Sequence, residues 1–145
     1  MKILLTWPLL ATLLAPALAF ASPNADSQVL TAYTSHHQFL VKLENVPKDI
    51  PFEQYFGVSI EAFDGKHPSV LLKSPKLSLK AGMKHGRKVG FAHGMESSPK
   101  IDLKQGLAKV SGLFFHMRGP WTLDVTVTDK GQGGTAEFTL PCCGK

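Results

Sequence analysis

The chain has 145 residues, with 16 Lys and Arg against 11 Asp and Glu and a formal charge of +5. The excess is modest and scattered, apart from a small group at Lys80, Lys84, Arg87 and Lys88. No aromatic-interleaved basic stripe is present, which argues against nucleic acid as a partner and for a solvated basic face.

Lys2 gives a short basic start, and Ile3 to Phe20 is almost entirely apolar, broken by Pro8 and Pro16. Ala17-Leu18-Ala19 and Ala19-Phe20-Ala21 are small-x-small cleavage patterns. This layout predicts a signal peptide over residues 1–21, cut after Ala21, and a periplasmic or secreted mature chain. The stretch is about long enough to span a bilayer, so a membrane anchor is the alternative; the prolines and the cleavage patterns weigh against it. No second long apolar stretch follows, so no membrane span is expected in the mature chain, which is one domain in size.

Residues 22–36 are polar and irregular and read as a flexible N-terminal arm. From there the apolar residues alternate with period two. Phe39, Val41 and Leu43 form the first set, and Val58, Ile60 and Ala62 the second. Leu77, Leu79, Ala81 and Met83 form the third. Leu107 to Phe115 is strand-like with an unclear phase near Gly112, which suggests a bulge. Trp121, Leu123, Val125 and Val127 alternate with polar neighbours, and Ala136, Phe138 and Leu140 close the series. Turns are read at residues 47–51, at 64–68 and at 130–134, the last as a hairpin. The pattern predicts an all-β, immunoglobulin-like antiparallel β-sandwich of about seven strands over residues 37–140.

Three of the four methionines lie beside histidines: Met83 with His85, His93 with Met95, and His116 with Met117. Thioether sulfur is a soft ligand and imidazole a borderline one, a combination that suits copper, above all Cu(I). His93 and Met95 flank Gly94, so in an extended segment both point to one side. The alternative is a surface loop with a chance His and Met. Met117 could instead be a core residue in sulfur–aromatic contact with Trp121. His116 and Met117 point apart on a regular strand, so only one of them is expected to ligate. Met83 shares the phase of Leu77 and Leu79 and reads more readily as core; His85 continues that phase to the strand end, where it could face a rim site. His36 and His37 are a weak chelating pair, and His67 is read as a solvated turn residue.

Ala92-His93-Gly94-Met95, Ser98-Pro99 and Gly112 to Val125, with its Phe115-His116-Met117-Arg118-Gly119-Pro120-Trp121 run, resemble the YtkA-like domain family. The resemblance spans roughly residues 38–140. It implies a small extracytoplasmic β-sandwich related to FixH-type factors of cytochrome oxidase assembly. That family's loop often carries several methionines, where Met95 here stands with His93, and Cys142-Cys143 is outside its pattern.

Exported thiols usually end as disulfides. Neighbouring Cα atoms lie about 3.8 Å apart, whereas unstrained bridges want roughly 4.4–6.8 Å. Cys142 and Cys143 could therefore form a strained bridge, bond another chain, stay reduced, or hold Cu(I) or zinc. The expectation is a disordered tail over residues 141–145, because Pro141 should stop the last strand.

The sequence carries no Gly-x-Ser-x-Gly, no His-Glu-x-x-His and no phosphate loop, so a binding protein is expected rather than an enzyme. The leading expectation is Cu(I) held for delivery to a copper-receiving protein or for oxidase assembly. The alternative is a metal-free interaction module that docks on a membrane complex.

Overall fold

A computed structural model describes residues 26–85 and 90–143. The expected signal peptide and its cleavage site lie outside the described residues. Two antiparallel sheets face each other. The first has the strand order β1 (Ser27–Tyr33), β2 (Phe39–Pro47), β3 (Tyr55–Asp64), β7 (Leu107–Phe114), β6 (Lys100–Lys104). The second has the order β5 (His93–Gly94), β4 (Lys76–Met83), β8 (Gly119–Asp129), β9 (Gln132–Cys142). Strands β2, β3, β7 and β6 against β4, β8 and β9 reproduce the four-plus-three arrangement of an immunoglobulin-like sandwich. The edge strand β1 and the two-residue β5 are additions to it. Among the described residues no helix is long and apolar enough to cross a membrane.

The period-two pattern places the core. Val41, Leu43, Ile60, Trp121, Leu123, Val125, Val127 and Leu140 are fully buried between the sheets, with Phe39, Val58 and Phe138 nearly so. Leu79, expected among them, is only partly buried. The reason is topological: β4 pairs with β5 only at Gly82 and Met83, so the outer flank of β4 from Lys76 to Lys80 is not covered by a strand.

The ambiguous phase at Gly112 has a physical cause. Phe56 pairs with Leu113 and Val58 with Val110, so β7 carries one residue more than β3 at this point. Gly112 takes φ 84°, a left-handed conformation open to glycine at little cost. The bulge flips the inward set from Ala108 and Val110 to Leu113 and Phe115.

Both chain ends correct the sequence reading. The arm expected over residues 22–36 contains β1, which pairs with β2 from Ser27–Pro47 to Tyr33–Leu40. Its inward residues, Leu30 and Ala32, are half-buried against the core. A single 3-10 turn, Ser35–His37, then leads into β2. The tail expected over residues 141–145 begins inside β9. Pro141 does not stop the strand: it lies opposite Pro120, and β9 is a sheet edge where proline is tolerated. Neither proline has an N–H to donate, which suits a pair of residues that exchange no hydrogen bonds. Cys142 therefore continues the inward series Ala136, Phe138, Leu140 and is buried. It also bridges to Ile50 in the segment leading to β3. The structure links Cys142 to Cys143 as a disulfide.

Deleting residues 141–145 should therefore destabilise the fold by roughly 1–3 kcal/mol, the usual cost of losing a packed core position. Urea denaturation followed by tryptophan fluorescence measures this. An unchanged midpoint would mean that Cys142 contributes nothing to the core.

Candidate functional site

The topology sorts the soft side chains by position along the sandwich. Strand β4 ends at Met83, β8 begins at Gly119 and β9 ends at Cys142, so these meet at one end of the second sheet. The Ile50–Cys142 bridge, and the hydrogen bond from Glu53 N to Phe115 O at 3.0 Å, join that end to the β7 exit of the first sheet. Met83, His85, His93, Met95, His116, Met117, Cys142 and Cys143 all lie at this end. His36, His37 and His67 lie at the other. There His67 closes the turn after β3: Asp64 Oδ1 accepts from Lys66 N at 2.9 Å and His67 N at 2.8 Å. Those contacts, the His67 amide foremost, hold the Asp64 carboxyl below its ordinary range. His67 is the solvated turn residue that the sequence suggests.

Two groups form within the soft end. The first lies at the edge of the second sheet. Met83 pairs with His93 across β4 and β5, and Ala92 N donates to Met83 O at 2.9 Å. His93 is directly opposite Met83, and His85 follows two residues beyond the end of β4. The His85 and His93 rings meet edge to face, 5.2 Å between centroids, and both residues are exposed. Met83 is 5% exposed and forms part of the core, as its strand phase suggests.

The second group lies where the chain crosses from β7 to β8. The segment after β5 runs back along β7. Ser97 Oγ donates to Gly112 O at 2.7 Å, and Phe114 N donates to Met95 Sδ at 3.3 Å. Glu96 Oε1 lies 3.8 Å from His116 Nε2. His116 Nδ1 is buried, with no hydrogen-bond partner among the described residues. Its ring sits edge-on to Trp121 at 5.7 Å. Met117 is half-buried against the core, and its carbonyl accepts the Trp121 indole N–H at 2.8 Å. Arg118 lies over the Phe52 ring at 4.5 Å.

These residues fit a soft cation unevenly. His85 and His93 are exposed and adjacent, whereas His116 Nδ1 is buried without a hydrogen-bond partner among the described residues. Met95 sulfur already accepts one hydrogen bond and retains a second lone pair. His93 and Met95, expected to share one ion around Gly94, instead face different neighbours: His85 on one side and the Phe114 amide on the other. Among the described residues no three His, Cys, Asp or Glu side chains gather as a ready-made metal cage. The Glu96–His116 approach and the inward Cys142 are absent from the sequence reading. Continuing the β9 alternation through Pro141 would have found Cys142.

Behind the first group, Lys84 forms a close ion pair with Glu137 and lies 3.9 Å from Asp124 Oδ1. That second distance is within ion-pair range but too long for a hydrogen bond, and Asp124 Oδ1 is buried without a hydrogen-bond partner among the described residues. Burial raises the Asp124 carboxyl above its ordinary range; Lys84 and Lys80 pull it down and Glu137 pushes it up.

No family model matches the chain, and no curated protein or solved structure matches it.

A raised folded-state pKa means that the carboxylate form costs stability. The cost is absent below the ordinary Asp range and develops as pH rises through the raised value. Asp124→Asn should therefore raise the melting temperature at pH 7 by up to a few degrees, roughly the effect of half a kcal/mol. Lys84 keeps Glu137 in that variant. The difference should vanish at pH 3, and thermal melts at both pH values test it. A lower melting temperature at pH 7 would show that the Lys84 pairing outweighs burial.

Proposed function

We propose that this is an exported Cu(I)-binding protein, periplasmic or secreted once residues 1–21 are removed. It holds the ion at the soft end of the sandwich for transfer to a copper-receiving protein, such as an oxidase under assembly or another membrane complex. The observation that carries this reading is the segregation of every described methionine, with His85, His93 and His116, to one end of the fold. His85 and His93 are the accessible pair, with ring centroids 5.2 Å apart. Met95, His116 and Met117 line the adjoining crossing, and Met83 backs the rim from the core. A site of few thioether and imidazole ligands suits Cu(I), and low coordination leaves a position open for a receiving ligand. The reading accords with the resemblance to YtkA-like domains and describes a carrier rather than an enzyme.

One observation favours the alternative of a metal-free docking module. The uncovered flank of β4 and the edge strand β6 border a groove of about 490 Å³, lined by Leu77, Leu79, Phe91, Met95, Pro99 and Ile101. An extended partner segment could add to such an edge.

Titration with Cu(I) against a competing chelator separates the two readings. The variants are His85→Ala/His93→Ala and His93→Ala/Met95→Ala. Each should lose at least roughly tenfold in affinity, about 1.4 kcal/mol. The titration is run on the disulfide form, where affinities equal to that of the parent protein would remove the His85, His93 and Met95 site and favour the docking module.

A further inference from the structure

We propose that Cys142 and Cys143 are a second soft-ligand pair of the same site, available only when their disulfide is reduced. The proposal deepens the Cu(I) reading and rests on it. Its geometry starts at Gly119. A Cβ placed there would come within 2.7 Å of Met83 Cε, so the Met83 thioether lies against the inner face of Gly119. Gly119 is directly opposite Cys142 in the β8–β9 ladder. Directly opposed residues project to the same face. The Cys142 side chain therefore enters the core on the same face as the Met83 methyl, beside a glycine that leaves room between strands. Both are members of the buried cluster, and Cys143 packs against it half-buried.

In the oxidised form the two sulfurs are bonded to each other and are poor ligands. Thiolate, in contrast, is the softest donor that a protein offers Cu(I). The step balances as a dithiol–disulfide exchange. An exported dithiol donor gives two electrons and two protons, the Cys142–Cys143 bond breaks, and the donor's thiols close to a disulfide. Cu(I) then displaces the two thiol protons as it binds. With Met83 alongside, the reduced pair supplies a two-sulfur or three-sulfur site on the core side of the histidine rim. Reduction would load the carrier. Exchange with an exported protein disulfide, which takes the pair's two electrons and two protons from solvent and leaves as a dithiol, would re-form the Cys142–Cys143 bond and expel the ion toward the exposed imidazoles.

The test uses the full chain, titrated anaerobically with Cu(I) against a chelator. Each protein is taken as the disulfide and again after reduction with a phosphine that is then removed. Near-ultraviolet absorption reports thiolate-to-copper charge transfer. For the parent protein, reduction should tighten binding at least tenfold and bring up the charge-transfer band. Cys142→Ala/Cys143→Ala should show neither change. Cys143→Ala alone keeps Cys142 in the core, guards against misfolding of the double variant, and should also lose the gain. His85→Ala/His93→Ala should keep the band, because the thiolates lie inside the rim. Equal affinities of the oxidised and reduced parent protein, with no band, would overturn the proposal. If that parent protein still binds and the histidine variant does not, the imidazole site survives alone. No binding in any form would remove both.

Discussion

The stack of Phe115 on Trp121 holds the soft end of the molecule together. Phe115 is the first residue past β7 in one sheet, and Trp121 is the third of β8 in the other. Their rings lie 4.2 Å apart between centroids and nearly parallel, 5° between planes, and both are fully buried. An aromatic pair of this kind adds about 0.5–1.5 kcal/mol beyond the area it buries. Its larger effect is positional. The chain between the two rings contains His116, Met117 and Arg118. The indole N–H fixes the Met117 carbonyl, and the Phe56 ring packs edge-on against Phe115 at 5.1 Å. With both ends of this crossing anchored, His116 is held next to Trp121 and within reach of Glu96.

The bulge at Gly112 makes that stack possible. Without the extra residue, the phase of Ala108 and Val110 would carry Phe114 inward and turn Phe115 to solvent. With it, Phe115 faces Trp121, and Phe114 turns its amide to Met95. The Gly112 carbonyl accepts from Ser97, which ties the β5–β6 connection to the same crossing. One backbone irregularity thus aligns the residues from both sheets. The sequence marks it only as a break in alternation, because a bulge leaves no signature beyond a permissive glycine and a shifted phase.

Most of the sandwich was legible for the reason that strands with one buried face must alternate. The apolar positions from Trp121 through Val127 and from Ala136 through Leu140 obey that rule, and the structure buries them as expected, with Thr122 buried beside them. The rule weakens at edges. Strand β1 buries only Leu30 and Ala32, and those partly, so it reads as irregular polar chain. At Pro141 the constraint that keeps proline out of central strands does not hold, because β9 is a sheet edge, and Cys142 stays in the inward series. The site was legible as a set of residue types but not as an arrangement. His93 and Met95 share a face only while their segment stays regular, and β5 lasts just two residues. At Met95 the amide still donates to Ala81 O of β4 at 3.1 Å while the sulfur turns to the Phe114 amide of β7, so the side-chain neighbours change.

A soft-ligand site in this position is compatible with a stable metal-free fold because of what its residues are. Methionine and cysteine pack as apolar side chains, so Met83 and Cys142 serve the core whether or not they ever meet an ion. A carboxylate or an imidazole at either position would leave a buried polar group to satisfy. The polar donors are placed accordingly. His85 and His93 are exposed at the rim, and His116 is half-buried, with one ring nitrogen near Glu96 and the other unpartnered. Across the end of the sandwich the soft side chains therefore grade from apolar sulfur inside to solvated nitrogen outside. An ion held by thiolate and thioether would sit on the core side, and an ion held by imidazole would stand where another protein can reach it. The same gradient that lets the protein pack its core would give a soft cation two environments, one buried and one exposed.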